Sequence, residues 1–133
     1  MLAKELLQEL KDMRYIVKLQ GQEFVTFKGL LHLAHKIGME GNTSDCIYFD
    51  DKPTFDDKGN KIEPSYRCIF KCTVTMKNQK TFVAHGDASP KNVGKMIVPH
   101  LYRMAETRAM ARALRFATGC GFTALEELGE REK

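Results

Sequence analysis

Helical and strand-like patterns of hydrophobic residues alternate in the first third of the chain. Apolar residues recur at helical spacing over 2–13, with charged residues between them, which predicts an amphipathic helix of about three turns. Alternating residues over 14–19 and a short run over 23–26 predict two strands. Apolar positions then fill one side of 27–37, so a second helix is expected there, with Gly38 as its C-cap.

The middle of the chain predicts a small β-sheet. Residues 39–65 are rich in turn residues and acidic residues. Within them 46–49 has a strand-like pattern, and the stretch from there to 65 is expected to form an exposed hairpin or loop. The clearest strand pattern covers 66–76. After a turn, the chain is expected to return as a strand over 81–85, and the glycine and aspartate at 86–87 close the sheet region.

A long helix is expected near the C-terminus. The serine and proline at 89–90 have the pattern of a helix start, with serine as the cap and proline at the first helical position. Pro99 predicts a break or kink, because the residue before a proline avoids helical angles. The long helix is expected over 99–117, ending at the glycines of 119–121, and a last helical turn is expected over 124–128.

This order of elements is typical of the α+β class. It predicts a small antiparallel β-sheet packed against a long C-terminal helix, a β-β-β-α core, with an additional N-terminal helix. A chain of 133 residues fits one hydrophobic core, so residues 1–133 are expected to form a single domain.

The distribution of charge is more informative than the net charge of +4. Residues 88–122 contain six basic residues and one acidic residue, whereas residues 40–64 contain seven acidic residues and three lysines. A basic segment beside an acidic loop suggests a polyanionic partner such as nucleic acid at one face of the domain.

The cysteines and the N-terminus favour an intracellular, cytoplasmic protein without a membrane anchor. The N-terminal segment is amphipathic and contains acidic residues, unlike a signal peptide, so the four cysteines are expected to be reduced thiols. Cys68 and Cys72 lie four positions apart on a predicted strand, which separates them by about 13 Å. They cannot share one zinc ion, and no metal site is predicted.

The long helix carries the most informative polar pattern. At about 100° per residue, Arg108, Arg112 and Arg115 lie on one side of the helix, and small residues on the other side allow close packing on the sheet. The planar guanidinium group can donate two parallel hydrogen bonds to a phosphate and can stack on an unpaired base. Alternatively, acidic residues of a neighbouring element or subunit pair with these arginines, and the pattern alone leaves both interpretations open.

The sequence gives no support for an enzyme. No carboxylate pair, no nucleophile with a base and no phosphate-binding loop accompanies the long helix, so neither catalytic residues nor a cofactor are predicted. His85 next to a turn is typical of a structural histidine. The acidic residues of 40–64, which a metal-dependent nuclease would need, lack the spacing of a calcium-binding loop.

Three segments in this order resemble one protein family. They are FVTFKGLLHLAHKIG at 24–38, CTVTMKNQKTFVAHGDAS at 72–89 and AETRAMARALRFATGCGF at 105–122. The chain resembles the single-strand annealing proteins of recombination, namely the eukaryotic Rad fifty-two DNA-binding domain and the ERF and DdrA groups, over roughly 14–128. The last segment has the family's T-x-x-x-x-R-A-L-R pattern, which begins here at Thr107.

The resemblance implies single-stranded DNA binding and ATP-independent annealing of complementary strands in homologous recombination or repair. It also implies a homo-oligomeric ring with a basic groove, in which the DNA backbone faces inward and the bases face outward. Arg112 and Arg115 match the groove arginines of the family, and Arg14 aligns with a third. Arg108 is our candidate for the charge of a family lysine replaced here by Ala111.

Lys18 is the nearest substitute for a basic hairpin residue that is absent at Gly21. A single-strand-binding protein or a nuclease is a candidate protein partner. The alternative function is a double-stranded RNA-binding module, which shares the α-β-β-β-α order of elements. The acidic tail, with Glu126, Glu127, Glu130 and Glu132, is expected to lie in solvent and keep the protein soluble.

Overall fold

The computed structural model describes residues 2–63 and 65–128. The elements run in the order α1 (Lys4–Asp12), β1 (Ile16–Leu19), β2 (Gln22–Val25), α2 (Phe27–Ile37), β3 (Met39–Asp50), β4 (Arg67–Met76), β5 (Thr81–Ala88) and α3 (Leu101–Thr118), with 3-10 helices at Val98–His100 and Leu125–Leu128. The fold is α+β, with antiparallel strands packed against the C-terminal helix, as the sequence predicts.

The N-terminal elements agree with the sequence prediction. Strands β1 and β2 form an antiparallel hairpin that is a sheet of its own. Helix α2 begins after Thr26, whose Oγ1 accepts a hydrogen bond from the backbone nitrogen of Gly29 at 3.0 Å. It ends at Gly38, whose φ of 119° lies in the left-handed region that glycine adopts without strain.

The main sheet has the order β3-β4-β5, and its first strand is much longer than predicted. Strand β3 pairs with β4 from Met39 to Asp50, including Gly41, where the sequence suggests a turn. Two register shifts along this pair accommodate the irregular sequence. A long partner strand therefore overrides the weak local preference of 39–45.

The helix start predicted at Ser89 and Pro90 is wrong. The backbone nitrogen of Ser89 donates to Oδ1 of Asn92 at 2.9 Å, and the segment forms turns. The side-chain oxygen of Ser89 accepts from the backbone nitrogen of Lys91 at 3.3 Å, so serine and asparagine form a local turn here. Helix α3 begins only at Leu101, after the short 3-10 helix that contains Pro99.

The core lies between α3 and one face of the main sheet. Alternate residues of β4 are buried, from Cys68 to Met76, and pack with the buried Leu101 and Leu114 of α3. Helix α2 packs against α3 and contributes Leu30 to the same core. Among the described residues, none of the helices has the length and apolar character that crossing a membrane requires.

Candidate nucleic-acid interface

Helix α3 lies unusually close to strand β5, and Gly86 makes this approach possible. A Cβ atom at Gly86 would lie 2.2 Å from the backbone nitrogen of Ala109 and 2.6 Å from the carbonyl oxygen of Ala105. Both alanines are fully buried. The absence of a side chain on the strand and the small side chains on the helix therefore place the arginines of α3 beside the outer edge of β5.

Arg108 is buried beside this edge, with 5% of its surface exposed. Its Nη1 donates to the carbonyl oxygen of Asp87 at 2.9 Å and to Oδ1 of Asn92 at 3.0 Å. Its Nε donates to the carbonyl oxygen of Glu127 at 2.7 Å, and its Nη2 to that of Asn92 at 3.0 Å. The prediction that Arg108 faces an open basic surface is wrong, because the guanidinium group joins three chain segments inside the domain.

Arg112 and Arg115 share the carboxylate of Glu127. The Nε of Arg112 donates to Oε1 at 3.2 Å, and the Nη2 of Arg115 donates to the same oxygen at 3.1 Å. The Nε of Arg115 lies 3.1 Å from Oε2, at ion-pair distance but without hydrogen-bond alignment. One buried carboxylate therefore faces two guanidinium groups. This agrees with the alternative interpretation of the sequence, in which an acidic residue of a neighbouring element pairs with the arginines of α3.

Arg112 is the more exposed member of this pair. Its side chain is 37% exposed and that of Arg115 is 24% exposed. The Nη1 of Arg112 donates to the carbonyl oxygen of His85 at 2.9 Å. Within residues 2–63 and 65–128, no protein group bonds to Nη2 of Arg112, so this nitrogen can donate to a ligand at the surface.

Glu127 is the central residue of the site, and its sequence context does not predict this role. It was expected in a solvated acidic tail, but its side chain is only 3% exposed, and Oε2 also accepts from the backbone nitrogen of Ala124 at 2.9 Å. Glu126 is bound as well, because its Oε1 accepts from the backbone nitrogen of Phe27 at 2.7 Å. The tail prediction is therefore wrong for both residues, and Glu130 and Glu132 lie outside the described residues.

Arg14 and Lys18 lie on a different part of the molecule. Both side chains are exposed on or before the β1-β2 hairpin, and Arg14 has a φ of 62° in the turn that follows α1. In the described part of the chain, neither forms an ion pair with α3. The hairpin is connected to the site through the C-terminal segment. The backbone nitrogen of Val25 donates to the carbonyl oxygen of Thr123 at 3.0 Å, four residues before Glu127.

A cleft of about 590 Å³ adjoins Arg112, and we call it the edge cleft. Its wall includes His85 and Asp87 at the end of β5 and Ser89 in the turn that follows. The remaining lining comes mainly from Arg67 and Ile69 of β4 and from Ile47 and Tyr48 of β3. Arg67 is not free in this wall, because its Nη1 lies 3.3 Å from Oδ2 of Asp50. Both arginines that line the cleft are therefore partly exposed and ion-paired, but Arg112 shares its carboxylate with Arg115, whereas Arg67 has Asp50 as its partner.

Cys68 contributes to the lining of the edge cleft, but its side chain is buried. Burial raises the pKa of Cys68 and of Cys72 from 9.0 to about 11, so both stay protonated at neutral pH. Burial also raises the pKa of Cys120. The part of the chain that the structure describes contains no cluster of three or more His, Cys, Asp or Glu side chains arranged to hold a metal ion.

The arrangement combines a basic strand edge with an adjoining cleft that has both apolar and polar walls. Such a site suits an anionic ligand that also carries a flat or apolar part. Neither the family models nor the curated proteins compared with this chain give a match.

Proposed function

We propose that the protein binds single-stranded DNA and anneals complementary strands without ATP, as a homo-oligomer that the family resemblance implies to be a ring. The observation that carries the proposal is the unequal pairing at Glu127. One carboxylate balances only one of the two guanidinium groups of Arg112 and Arg115, so the pair retains a net charge of +1 at a partly exposed surface. Arginines held in this way are ordered before the ligand arrives, which lowers the entropic cost of binding.

Neighbouring charge supports the same proposal. Lys91 and Lys95 are exposed in the turns that follow β5, and Asn92 of this segment is bonded to Arg108. The turn segment that bonds to α3 therefore carries two further exposed cations. A single strand that contacts this segment as well as Arg112 would gain backbone contacts that do not depend on its sequence.

The structure also changes which residues are expected to bind DNA. Arg112 is the principal candidate, because it is partly exposed and lines the edge cleft, and Arg115 is the second, because it is partly exposed and shares the Glu127 carboxylate. Arg108 is left out of the proposed contact surface, since its guanidinium group is buried. Arg14 and Lys18 remain candidates, because both are exposed on or before the β1-β2 hairpin.

The test is binding of a fluorescent single strand by Arg112→Ala and by Arg103→Ala. Both variants remove one positive charge from α3, but Arg103 is an exposed residue that contacts neither Glu127 nor the edge cleft. We expect Arg112→Ala to weaken binding about tenfold, the effect of losing one charge-assisted hydrogen bond. The slope of log affinity against log salt should fall by about 0.7 in magnitude, because one phosphate contact is lost.

Two results would contradict the proposal. One is equal binding by the wild type and Arg112→Ala, with urea unfolding confirming that both are folded. The other is failure of the wild type to speed the pairing of two complementary oligonucleotides without ATP. Light scattering on the same samples counts the subunits and tests the ring.

A double-stranded RNA-binding module is the second candidate, because α2-β3-β4-β5-α3 has the α-β-β-β-α order of such modules. A gel-shift comparison of single-stranded DNA with an RNA duplex at one salt concentration separates the two functions. Tighter binding of the RNA duplex would replace the first proposal with the second.

A further inference from the structure

The floor of the edge cleft is a row of side chains across the outer face of the main sheet. Tyr48 of β3 pairs with Ile69 of β4, and Ile69 pairs with Asp87 of β5. Paired residues point to the same face of a sheet, so an aromatic ring, an aliphatic side chain and a carboxylate follow one another across this face. The face opposite α3 therefore has a continuous surface that ends beside Arg112.

Tyr48 provides a flat surface in this row. Its side chain is about half-exposed, and its hydroxyl donates to Oδ2 of Asp50 at 3.0 Å. The Asp50 carboxylate raises the pKa of Tyr48, so the ring stays neutral and the hydroxyl remains a donor. A ring fixed at its hydroxyl end is well suited to stack with another flat group, because little side-chain entropy is lost on contact.

The charges around the cleft select which part of a nucleotide enters. Asp87 lines the cleft, and its Oδ2 accepts from Nδ2 of Asn92 at 2.9 Å. A carboxylate disfavours a phosphate nearby but accepts hydrogen bonds from the N–H groups of a base. Arg67 is paired with Asp50 and adds little net charge. Arg112 also lines the cleft, but it shares the Glu127 carboxylate with Arg115 and so keeps positive charge. A phosphate is therefore favoured at Arg112, and a base is favoured over Tyr48 and Ile69.

We propose that the edge cleft holds one nucleobase of the bound single strand, stacked on Tyr48 beside Ile69, while the bases between successive clefts face outward and stay free to pair. This inference rests on the proposed function, since the adjacent phosphate would be held by Arg112. The cleft volume of about 590 Å³ lies within the range of roughly 300–1,000 Å³ that is usual for small-molecule sites. Each subunit would then hold the strand by one base in addition to its backbone.

The experiment compares an oligothymidylate with an abasic strand of the same length, which has the same phosphates but no bases. Affinities for both are measured for the wild type, Tyr48→Ala and Phe55→Ala. Phe55 is the matched control, an exposed aromatic residue that does not line the cleft. Stacking on an aromatic side chain contributes enough that the wild type should prefer thymidylate by at least about fivefold.

The expected result is that Tyr48→Ala loses this preference and keeps its affinity for the abasic strand, while Phe55→Ala resembles the wild type. Equal loss for both strands, or no loss for either, would overturn the base site and leave the DNA-binding proposal intact. If the wild type binds neither strand, both proposals fail.

A measurement on the unaltered protein gives an independent check. A strand with one 5-iododeoxyuridine is irradiated in the complex, and the crosslinked peptide is identified by mass spectrometry. Crosslinking at Tyr48 supports the base site, because this probe reacts with an aromatic ring stacked on it. Crosslinking confined to peptides outside the cleft would overturn the inference.

Discussion

The two edges of the main sheet differ in whether other groups bond to their backbone. At the β5 edge, the carbonyl oxygens of His85 and Asp87 accept hydrogen bonds from Arg112 and Arg108, each at 2.9 Å. At the β3 edge, no strand pairs with the outer side within residues 2–63 and 65–128. Ile47 and Phe49, near the end of β3, leave about half of their surface exposed.

The difference teaches what the arginines of α3 do for the fold. An unpaired strand edge is a site for association with other chains, and proteins cover it or interrupt it. Here the cover comes from guanidinium groups that reach from a helix on the inner face to backbone carbonyls at the edge. Arginine suits this task because one planar group donates several hydrogen bonds in fixed directions. A row of arginines on a helix can therefore stabilise the fold, and it need not indicate a ligand-binding surface alone.

The largest expected effect comes from replacing Arg108, the buried arginine that bonds to the β5 edge. Arg108→Met leaves three backbone carbonyls without their donor, and we expect a loss of about 3 kcal/mol in the free energy of unfolding. The matched control is Arg103→Met, which removes an exposed arginine of the same helix and should change stability by no more than about 0.5 kcal/mol. Urea unfolding followed by circular dichroism measures both. Equal stability of the two variants would show that the β5 edge does not depend on Arg108.

A smaller effect is expected from adding a methyl group to each edge strand. Gly86→Ala places a Cβ against the backbone of α3, and overpacking of this kind should cost about 2 kcal/mol. Gly41→Ala in β3 meets no atom within 4 Å and should be neutral or stabilising by a few tenths of a kcal/mol, at most about 1. Thermal unfolding of the two variants compares the covered and the open edge directly. A Gly86→Ala variant as stable as Gly41→Ala would contradict the close approach of α3.

The smallest effect concerns thiol reactivity. At pH 8, a disulfide reagent should modify the exposed Cys46 of β3 rapidly, while Cys68 and Cys72 of β4 react only after unfolding. Folding raises the pKa of the two buried thiols from 9.0 to about 11. Above pH 9 the unfolded chain therefore loses these protons more readily than the folded protein, so the free energy of unfolding is highest below pH 9 and falls as the pH rises toward 11. Thiol counting by absorbance, with and without denaturant, checks the first statement. Rapid reaction of more than one thiol in the folded protein would contradict it.

Periodic segments were predictable from the sequence because their local preferences agree with the fold. The helix at 27–37 and its glycine cap are confirmed residue for residue, and α3 ends at the predicted glycine. The length of β3 was not predictable, because residues around Gly41 become a strand only when β4 is beside them. In the same way, Ser89 and Pro90 have the local chemistry of a helix start but form a turn that Asn92 stabilises.

The candidate site was predictable only in part. Helical spacing places the three arginines on one side of α3, but spacing cannot tell what lies opposite that side. The partner carboxylate belongs to Glu127, more than ten residues later in the chain, in a segment that resembles a solvated tail. The sequence does contain one indication of this contact. Leu125 and Leu128 are apolar residues on either side of two acidic residues, a pattern that indicates a segment returning to the core.

The segment 123–127 has a consequence for the kinetics of folding. The backbone nitrogens of Val25 and Phe27, near the start of the chain, donate to the carbonyl oxygen of Thr123 and to the Glu126 carboxylate, and these bonds span about a hundred residues. Closing so long a loop is slow compared with forming local hairpins and helices. We therefore expect the N-terminal hairpin to dock last, after the sheet and α3 have assembled, so that the rate of this step limits how quickly a newly made chain becomes resistant to proteolysis.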